Sequence, residues 1–313
     1  MARTHGAVSE PDNRAVIEDY YASMSEGNFA HVVELHSPDL VCWMSGTSLV
    51  SGRFKGRDAL YAHMAKHVLG PLVVGTEPYV KGSSIAIVDA SMVVGLLHGG
   101  LPSKDGGRYD QYYLQIFRLQ DGLIAEIVEL FDTVMVETVL MKNQLEIPRE
   151  PPARPFGIVA DPPASRGTRD EVIGVTSVLL EALASGNTAQ LRAVVHSSVS
   201  VRIIGSTPLS GSSEGVQALV AALDRGVQDA RLVCADGGFA CALMRSSDPA
   251  YHQQYGLLLR VRDKRVVGVS IFLDTVEVEK TLFANPMLPH PSTSVMPPFD
   301  IAQARLASAS APR

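Results

Sequence analysis

Apolar side chains recur at helical spacing near the N-terminus. Ile17, Tyr20, Tyr21 and Met24 fall at i, i+3, i+4 and i+7, which predicts an amphipathic helix. The spacing returns at Thr176, Leu179, Leu180 and Leu183, preceded by Thr168-Arg-Asp-Glu171, the pattern of a capping box. Gly27 and Gly186 suit the position just past each helix, and Asn28 and Asn187 suit the cap of a short second helix. Strands are predicted at Leu40–Met44 and Val199–Ile204, and a third helix after Gly56 and after Gly215. Long strands follow at Ser84–Leu97, Tyr109–Leu119 and Ile124–Phe131, the last two joined by an Asp121-Gly122 turn. Helices first and an antiparallel meander afterwards predict an α+β fold, a curved sheet wrapped over helices.

The pattern runs through the chain twice. Ser25-Glu-Gly-Asn28 recurs as Ala184-Ser-Gly-Asn187, and Val50-Ser-Gly52 as Leu209-Ser-Gly211, both at an offset of 159. Asp132-Thr-Val-Met-Val-Glu137 recurs as Asp274-Thr-Val-Glu-Val-Glu279 at an offset of 142. The second copy is therefore 17 residues shorter in between, and the Gly-rich segment Gly99–Gly107 with trimmed flanking strands is the expected place. The expected organisation is two tandem domains, 1–143 and 168–284, joined by a Pro-rich linker at 144–167 and followed by a Pro/Ser/Ala-rich tail at 285–313.

Composition narrows the function classes. The 313 residues are 46% hydrophobic and 19% charged, with net charge −6. That excludes a mainly disordered chain and argues against broad electrostatic binding to nucleic acid. Cys42, Cys234 and Cys241 are too few and too irregular for a disulfide framework or a thiolate zinc site. Met1–Asn13 lacks an apolar leader, and the longest apolar run, Ile85–Leu97, is broken by Asp89. The expectation is a cytoplasmic protein that engages neither nucleic acid nor membrane and needs neither metal nor organic cofactor.

The order helix–helix–strand–helix–meander, with Gly52-Arg-Phe-Lys-Gly56, Phe117-Arg-Leu-Gln-Asp-Gly122-Leu-Ile124 and Phe131-Asp-Thr133, resembles the NTF2-like superfamily, and within it the SnoaL-like polyketide cyclases and ketosteroid isomerases. The segment Gly52–Leu72 also resembles the hexachlorocyclohexane dehydrochlorinase and scytalone dehydratase branch. The resemblance implies a conical pocket enclosed by sheet and helices, and two cones packed through the outer sheet faces as an intrachain pseudo-dimer. A further homodimer is left open. By the same resemblance Gln115 takes an inward oxyanion-stabilising position, Tyr20 that of an oxyanion-hole tyrosine, and Trp43 the place of the isomerase's general base. In the second copy Leu179, Arg202, Leu257 and Ile271 stand for Tyr20, Trp43, Gln115 and Glu129, which predicts one working domain and a chemically quieter partner.

Glu129 is the leading acid/base candidate, because a carboxylate among inward aromatic side chains gains proton affinity. A one-residue error in strand phase would instead put it on the outer face. Tyr20 is either an oxyanion donor or a core tyrosine, and Gln115 either meets substrate or ties a network with Gln111 and Tyr113. Trp43, Met64, His63, His98, Gln111, Tyr113, Phe117 and Phe131 are candidates for lining the pocket. Asp132, which recurs as Asp274, is expected to cap a helix. His63 and His67, one turn apart, more simply decorate a solvated helix face than bind metal, His98 is otherwise a hairpin residue, and His31 and His36 are expected in surface or packing roles. The Gly99–Gly107 segment is a candidate flap. These features predict acid/base chemistry on a small, largely apolar carbonyl or hydroxyl compound, by isomerisation, cyclisation or elimination. The alternatives are non-catalytic binding of an apolar molecule, or epoxide opening, for which the usual Asp–Arg–Asp set is not recognisable.

Overall fold

The computed structural model describes residues 10–149, 166–293, 295 and 304. Helix α1 (Glu10–Glu26) and the short α2 (Phe29–Glu34) lead into β1 (His36–Met44) and β2 (Gly52–Lys55). Then come α3 (Arg57–Met64), continued by a π-helical turn over Ala65–Leu69, and the strands β3 (Val80–Asp89), β4 (Met92–Pro102), β5 (Arg108–Gln120) and β6 (Leu123–Phe131). A short helix, α4 (Thr133–Met135), a second π-helical turn (Val136–Leu140) and β7 (Gln144–Leu145) close this unit. Asn28 caps α2 through its side chain, as the sequence predicts. The strand expected at Ser84–Leu97 is two strands. The chain reverses at Ala90, whose φ is 50°, and the apolar run continues across the reversal because both strands are largely buried there. Asp89 and Ser91, the polar residues that interrupt the run, flank the turn.

The second unit repeats the order: α5 (Arg169–Ser185), α6 (Thr188–Val194), β8 (Val195–Ile204), β9 (Gly211–Glu214), α7 (Val216–Ala222), β10 (Val227–Ala235), β11 (Phe239–Ser246), β12 (Gln254–Arg262), β13 (Arg265–Leu273), α8 (Thr275–Leu282) and β14 (Met287–Leu288). The capping box predicted at Thr168 and Glu171 is formed, and Gly186 ends α5 in the left-handed conformation. Each unit builds a six-stranded sheet of matching order, β2-β1-β6-β5-β4-β3 and β9-β8-β13-β12-β11-β10. In both, the first strand runs parallel to the last meander strand.

Positions equivalent in the two sheets locate the shortening. Gly52 matches Gly211 at an offset of 159, Ile85 matches Leu232 at 147, and Gln115 matches Leu257 at 142. Twelve of the 17 residues are thus missing between the third helix and the next strand, and five at the β4–β5 hairpin. The hairpin, expected to hold the whole difference, holds the smaller part. What the second unit chiefly lacks is the π-helical turn and the loop after it.

The two sheets meet face to face. Trp43, Leu114, Val128 and Leu130 of one share an apolar cluster with Cys241, Leu243, Leu258 and Phe272 of the other. Beside this seam, Thr133 Oγ1 donates to Asp274 Oδ1 and Thr275 Oγ1 donates to Asp132 Oδ1, each at 2.5 Å. Val134 N and Val276 N donate to Thr275 Oγ1 and Thr133 Oγ1 in turn. Asp132 caps α4 and Asp274 caps α8, so each cap also clasps the other unit. Gly46 and Gly205 border the clasp with positive φ, and a Cβ on either would meet a threonine methyl at 2.4–2.5 Å.

The expected linker and tail begin later than the composition suggests. Residues 144–149 and 285–293 belong to the folded body: β7 pairs with β14, Ile147 N donates to Asn285 Oδ1, and His290 N donates to Asn143 Oδ1. Main-chain pairing here depends on backbone groups that composition does not reveal. Residues 150–165 of the linker, and the tail beyond 293 except 295 and 304, lie outside the described residues. Among the described residues, no helix is long and apolar enough to cross a membrane.

Candidate active site

A cavity of about 310 Å³ opens between the concave face of the first sheet and helices α1, α2 and α3. Strand alternation decides what enters it. On β1 the inward residues include Cys42 and Met44, on β5 Tyr109, Tyr113 and Gln115, and on β6 Ile127, Glu129 and Phe131. The π-helical turn adds Ala65, Val68 and Leu69, and α3 adds Leu60, Tyr61 and Met64. Among the described residues, no lysine or arginine lines it.

Glu129 and Gln115 face one another across β5 and β6. Gln115 Nε2 donates to Glu129 Oε1 at 2.6 Å, and Tyr21 Oη donates to Gln115 Oε1 at 2.8 Å. This fixes the amide from both ends and holds one carboxylate oxygen, while Glu129 Oε2 has no hydrogen-bond partner among the described residues. Space for Tyr21 comes from Gly95, next to Gln115 on β4, since a Cβ there would lie 2.0 Å from the Tyr21 hydroxyl. Burial pushes the Glu129 carboxyl above its ordinary range, and the Gln115 hydrogen bond offsets part of that.

Two further polar groups share the cavity. Tyr113 Oη lies 2.8 Å from Tyr79 Oη and 3.0 Å from Tyr109 Oη, a chain of three buried phenols. Burial raises the proton affinity of all three. The His36 ring lies edge-on to Tyr20 and Tyr61. Burial, with Arg57 nearby, lowers the pKa of His36 to about 4, so its ring is neutral at physiological pH. The Tyr20 hydroxyl has no hydrogen-bond partner among the described residues, and burial, then Tyr61 and Glu129, raises its proton affinity.

Six of the predicted side chains come together here: Tyr20, Met64, Tyr113, Gln115, Glu129 and Phe131. Five do not. Trp43 faces the seam between the sheets, where its Nε1 donates to Glu126 Oε1 at 2.7 Å and the Arg53 guanidinium lies over its ring. The inward β1 residues are its neighbours Cys42 and Met44, so the place expected for the base is one residue out of phase. Gln111 staples the backbone of Asp132, donating to its carbonyl and accepting from its N–H, and Gln253 does the same for Asp274. His98 stacks on Tyr112 outside the cavity. His63 Nε2 bonds the Leu49 carbonyl and the ring packs on Phe54 and His67. Phe117 is fully buried behind Tyr20 and Tyr21.

The Gly99–Gly107 segment is not a free flap. Gly99–Pro102 belongs to β4, and the turn beyond is fastened at Lys104, whose N–H donates to Pro71 O and whose ammonium donates to Gly70 O. Lys142 and Asp105 form an ion pair beside it. His36, Tyr61, Tyr79 and Tyr109 are site residues that the sequence analysis missed. Tyr109 shares strand parity with Tyr113 and was within reach of that argument. Tyr79 precedes its strand and His36 opens one, so alternation says little about either. Among the described residues no group of three His, Cys, Asp or Glu is placed to hold a metal ion.

Comparison with known proteins agrees with this architecture for the first unit. Residues 17–127 match the family described as SnoaL-like domain. Solved structures similar to part of the chain include Bal32a from a soil-derived mobile gene cassette (20% identity, 42% of this chain and 99% of that one, TM-score 0.37). Others are an NTF2-like protein from Burkholderia xenovorans (15%, 43% and 99%, TM-score 0.36) and TerC co-crystallised with polyporic acid (16%, 41% and 98%, TM-score 0.32). No curated protein matches the chain. With its helices cupped by a curved sheet and its polar groups gathered in the cone, the first unit is an α+β unit similar, across residues 17–127, to the SnoaL-like domain family.

Proposed function

We propose that the first unit is a cofactor-independent acid/base enzyme acting on a small, largely apolar molecule with a carbonyl or hydroxyl group, by isomerisation, cyclisation or elimination. The observation that carries it is Glu129: a buried carboxyl with one oxygen held by Gln115 and, among the described residues, the other unpartnered and no lysine or arginine lining the cavity. Glu129 Oε2 takes a proton from the substrate and returns it at a second position. Tyr20, with its hydroxyl unengaged, donates to the oxygen that gains charge. Gln115 is a positioning residue, since both ends of its amide already hold protein groups. The outward placement of Trp43 removes it from this scheme.

The second unit, in this proposal, is a duplicate of the first that has lost the chemistry and serves as the other half of an intrachain pseudo-dimer. Glu129→Gln keeps the shape and the Gln115 contact but removes the titrating proton. Turnover of a responsive enone or hydroxyketone should fall by about 10²–10⁴-fold, with an unchanged circular-dichroism spectrum and unfolding midpoint. Undiminished turnover rejects the assignment. Non-catalytic binding of an apolar ligand is the second proposal, favoured by the thioether and thiol of Met44 and Cys42 where β1 enters the cavity. Saturable binding without turnover across such a panel would select it.

A further inference from the structure

His36 opens β1 immediately after α2. It is 1% exposed, and its ring lines the cavity. Its Nδ1 lies 2.6 Å from the carbonyl oxygen of Val32. A carbonyl oxygen only accepts, so Nδ1 carries the proton and Nε2 carries the lone pair. The Tyr61 hydroxyl, 3.2 Å from the same Nδ1, leaves Nε2 untouched. Nothing among the described residues bonds Nε2. The ring is held in place by Tyr20 and Tyr61, at 5.4 and 5.6 Å between centroids.

An acceptor without a partner on so buried a side chain is costly unless something in the cavity meets it. The fold does not demand this one. The equivalent position in the second unit is Val195, buried in an apolar core. The other polar side chains of the cavity differ from His36 in kind. The phenols accept as well as donate, the Gln115 amide is engaged at both ends, and Glu129 Oε2 is a pure acceptor only until it is protonated. Nε2 of a neutral, Nδ1-protonated imidazole can only accept. A molecule filling the cavity therefore meets at His36 an acceptor that stays one whatever the state of Glu129, rewards a donor and leaves an ether or hydrocarbon unpaired.

We infer that His36 Nε2 is the recognition point for a hydroxyl group on the ligand, so that the cavity selects hydroxylated apolar molecules over their ether or hydrocarbon counterparts. This deepens the acid/base proposal by naming the substrate class, and rests on it only for treating the occupant as a substrate.

The test titrates the full chain with 2-naphthol and 2-methoxynaphthalene, matched probes that differ in the donor. The wild-type protein should bind the naphthol about tenfold or more tightly. His36→Phe should bring the ratio near one, and His36→Gln, whose amide oxygen reaches the place of Nε2, should restore part of it. Long-range nitrogen-15 spectra of the wild-type protein should show the Nδ1-protonated tautomer, with an Nε2 resonance that moves on adding the naphthol and not the ether. Equal affinities in the wild type, absence of naphthol binding, an unchanged ratio in His36→Phe or a protonated Nε2 would each overturn the inference. If His36→Phe does not fold, the wild-type spectra decide. Glu129→Gln should keep the preference, so a failed catalytic assignment and a failed recognition point give different results.

Discussion

The two units share strand order, register and caps, and differ in what fills the cone. In the first, Tyr20, Tyr21, His36, Gln115 and Glu129 gather around a cavity. In the second, the equivalent positions are Leu179, Leu180, Val195, Leu257 and Ile271, all within one apolar cluster. The changes form a set. Gly95, which makes room for Tyr21, is Ala242 in the second unit, where Leu180 needs no such space. The wall changes too: the first unit extends its third helix by the π-helical turn that lines the cavity, and the second passes from Ala222 to β10 within five residues. Groups that recur in both units, the Gln111/Gln253 staple and the Asp132/Asp274 caps, hold backbone or seam. Tyr113 recurs too, as Tyr255, whereas Tyr20, Tyr21, His36, Gln115 and Glu129, found in the first unit alone, gather around the cavity.

The sharpest way to break this comparison is to move the carboxylate. In the first unit Glu129 faces Gln115, whereas Ile271 faces Leu257. Ile271→Glu therefore buries a carboxyl with no amide to receive it, and should cost about 3 kcal/mol or more. Adding Leu257→Gln should recover part of the loss. Denaturant unfolding of the single and double variants checks this. A neutral Ile271→Glu would mean that the second cone is already open to water.

How far the site was legible follows from the same contrast. Period-two alternation on β5 and β6 puts Gln115, Tyr113, Glu129 and Phe131 on the face that lines the cavity, because both strands run regularly past it. On β1 it was not the basis: the family resemblance alone puts Trp43 inside, and the ring faces the seam. His36 lies before the predicted strand Leu40–Met44 and beyond a register shift to β6 between His36 and Val41, so no alternation reaches it. The turn at Ala90 was hidden because apolar residues lie on both sides of it. The π-helical turn follows α3 without a break in composition, so nothing in the sequence marks it as cavity wall. The Asp132 and Asp274 caps were legible as caps, but their reach across the seam depends on a packing that no local pattern encodes.

A smaller effect tests the elements that the units share. Burial raises the pKa of Asp274 to about 6, against hydrogen bonds that favour its charged form. The native state therefore holds this proton to higher pH than the unfolded chain, whose aspartates titrate near 4. Its contribution to stability falls as pH rises between about 4 and 6, and is constant on either side. Asp274→Asn can still accept the Thr133 hydrogen bond and cap α8, and should flatten that slope by on the order of 2 kcal/mol across the window. Unfolding midpoints measured at several pH values check the sign. A slope that is unchanged, or steeper, would place the titration elsewhere.

The smallest effect concerns the one tryptophan of the chain. Trp43 contributes its ring to the seam cluster and its Nε1 proton to Glu126, whose other oxygen accepts from Arg118 Nε at 3.1 Å. Trp43→Phe keeps most of the apolar contact and leaves Glu126 with one charged partner. The expected cost is about 1–2 kcal/mol of stability, with turnover and ligand affinity unchanged. The same geometry makes Trp43 an internal reporter. Filling the cavity should leave its emission maximum in place, because the ring lies on the opposite face of the sheet from Cys42 and Met44. Movement of one sheet against the other should shift it. If a cavity ligand displaces the emission maximum while Trp43→Phe also weakens binding, then β1 turns its other face inward and the assignment of inward residues on that strand is wrong. If only unfolding moves it, the cavity and the seam are independent faces of one sheet, and what fills either cone can differ without disturbing the packing that joins the two units.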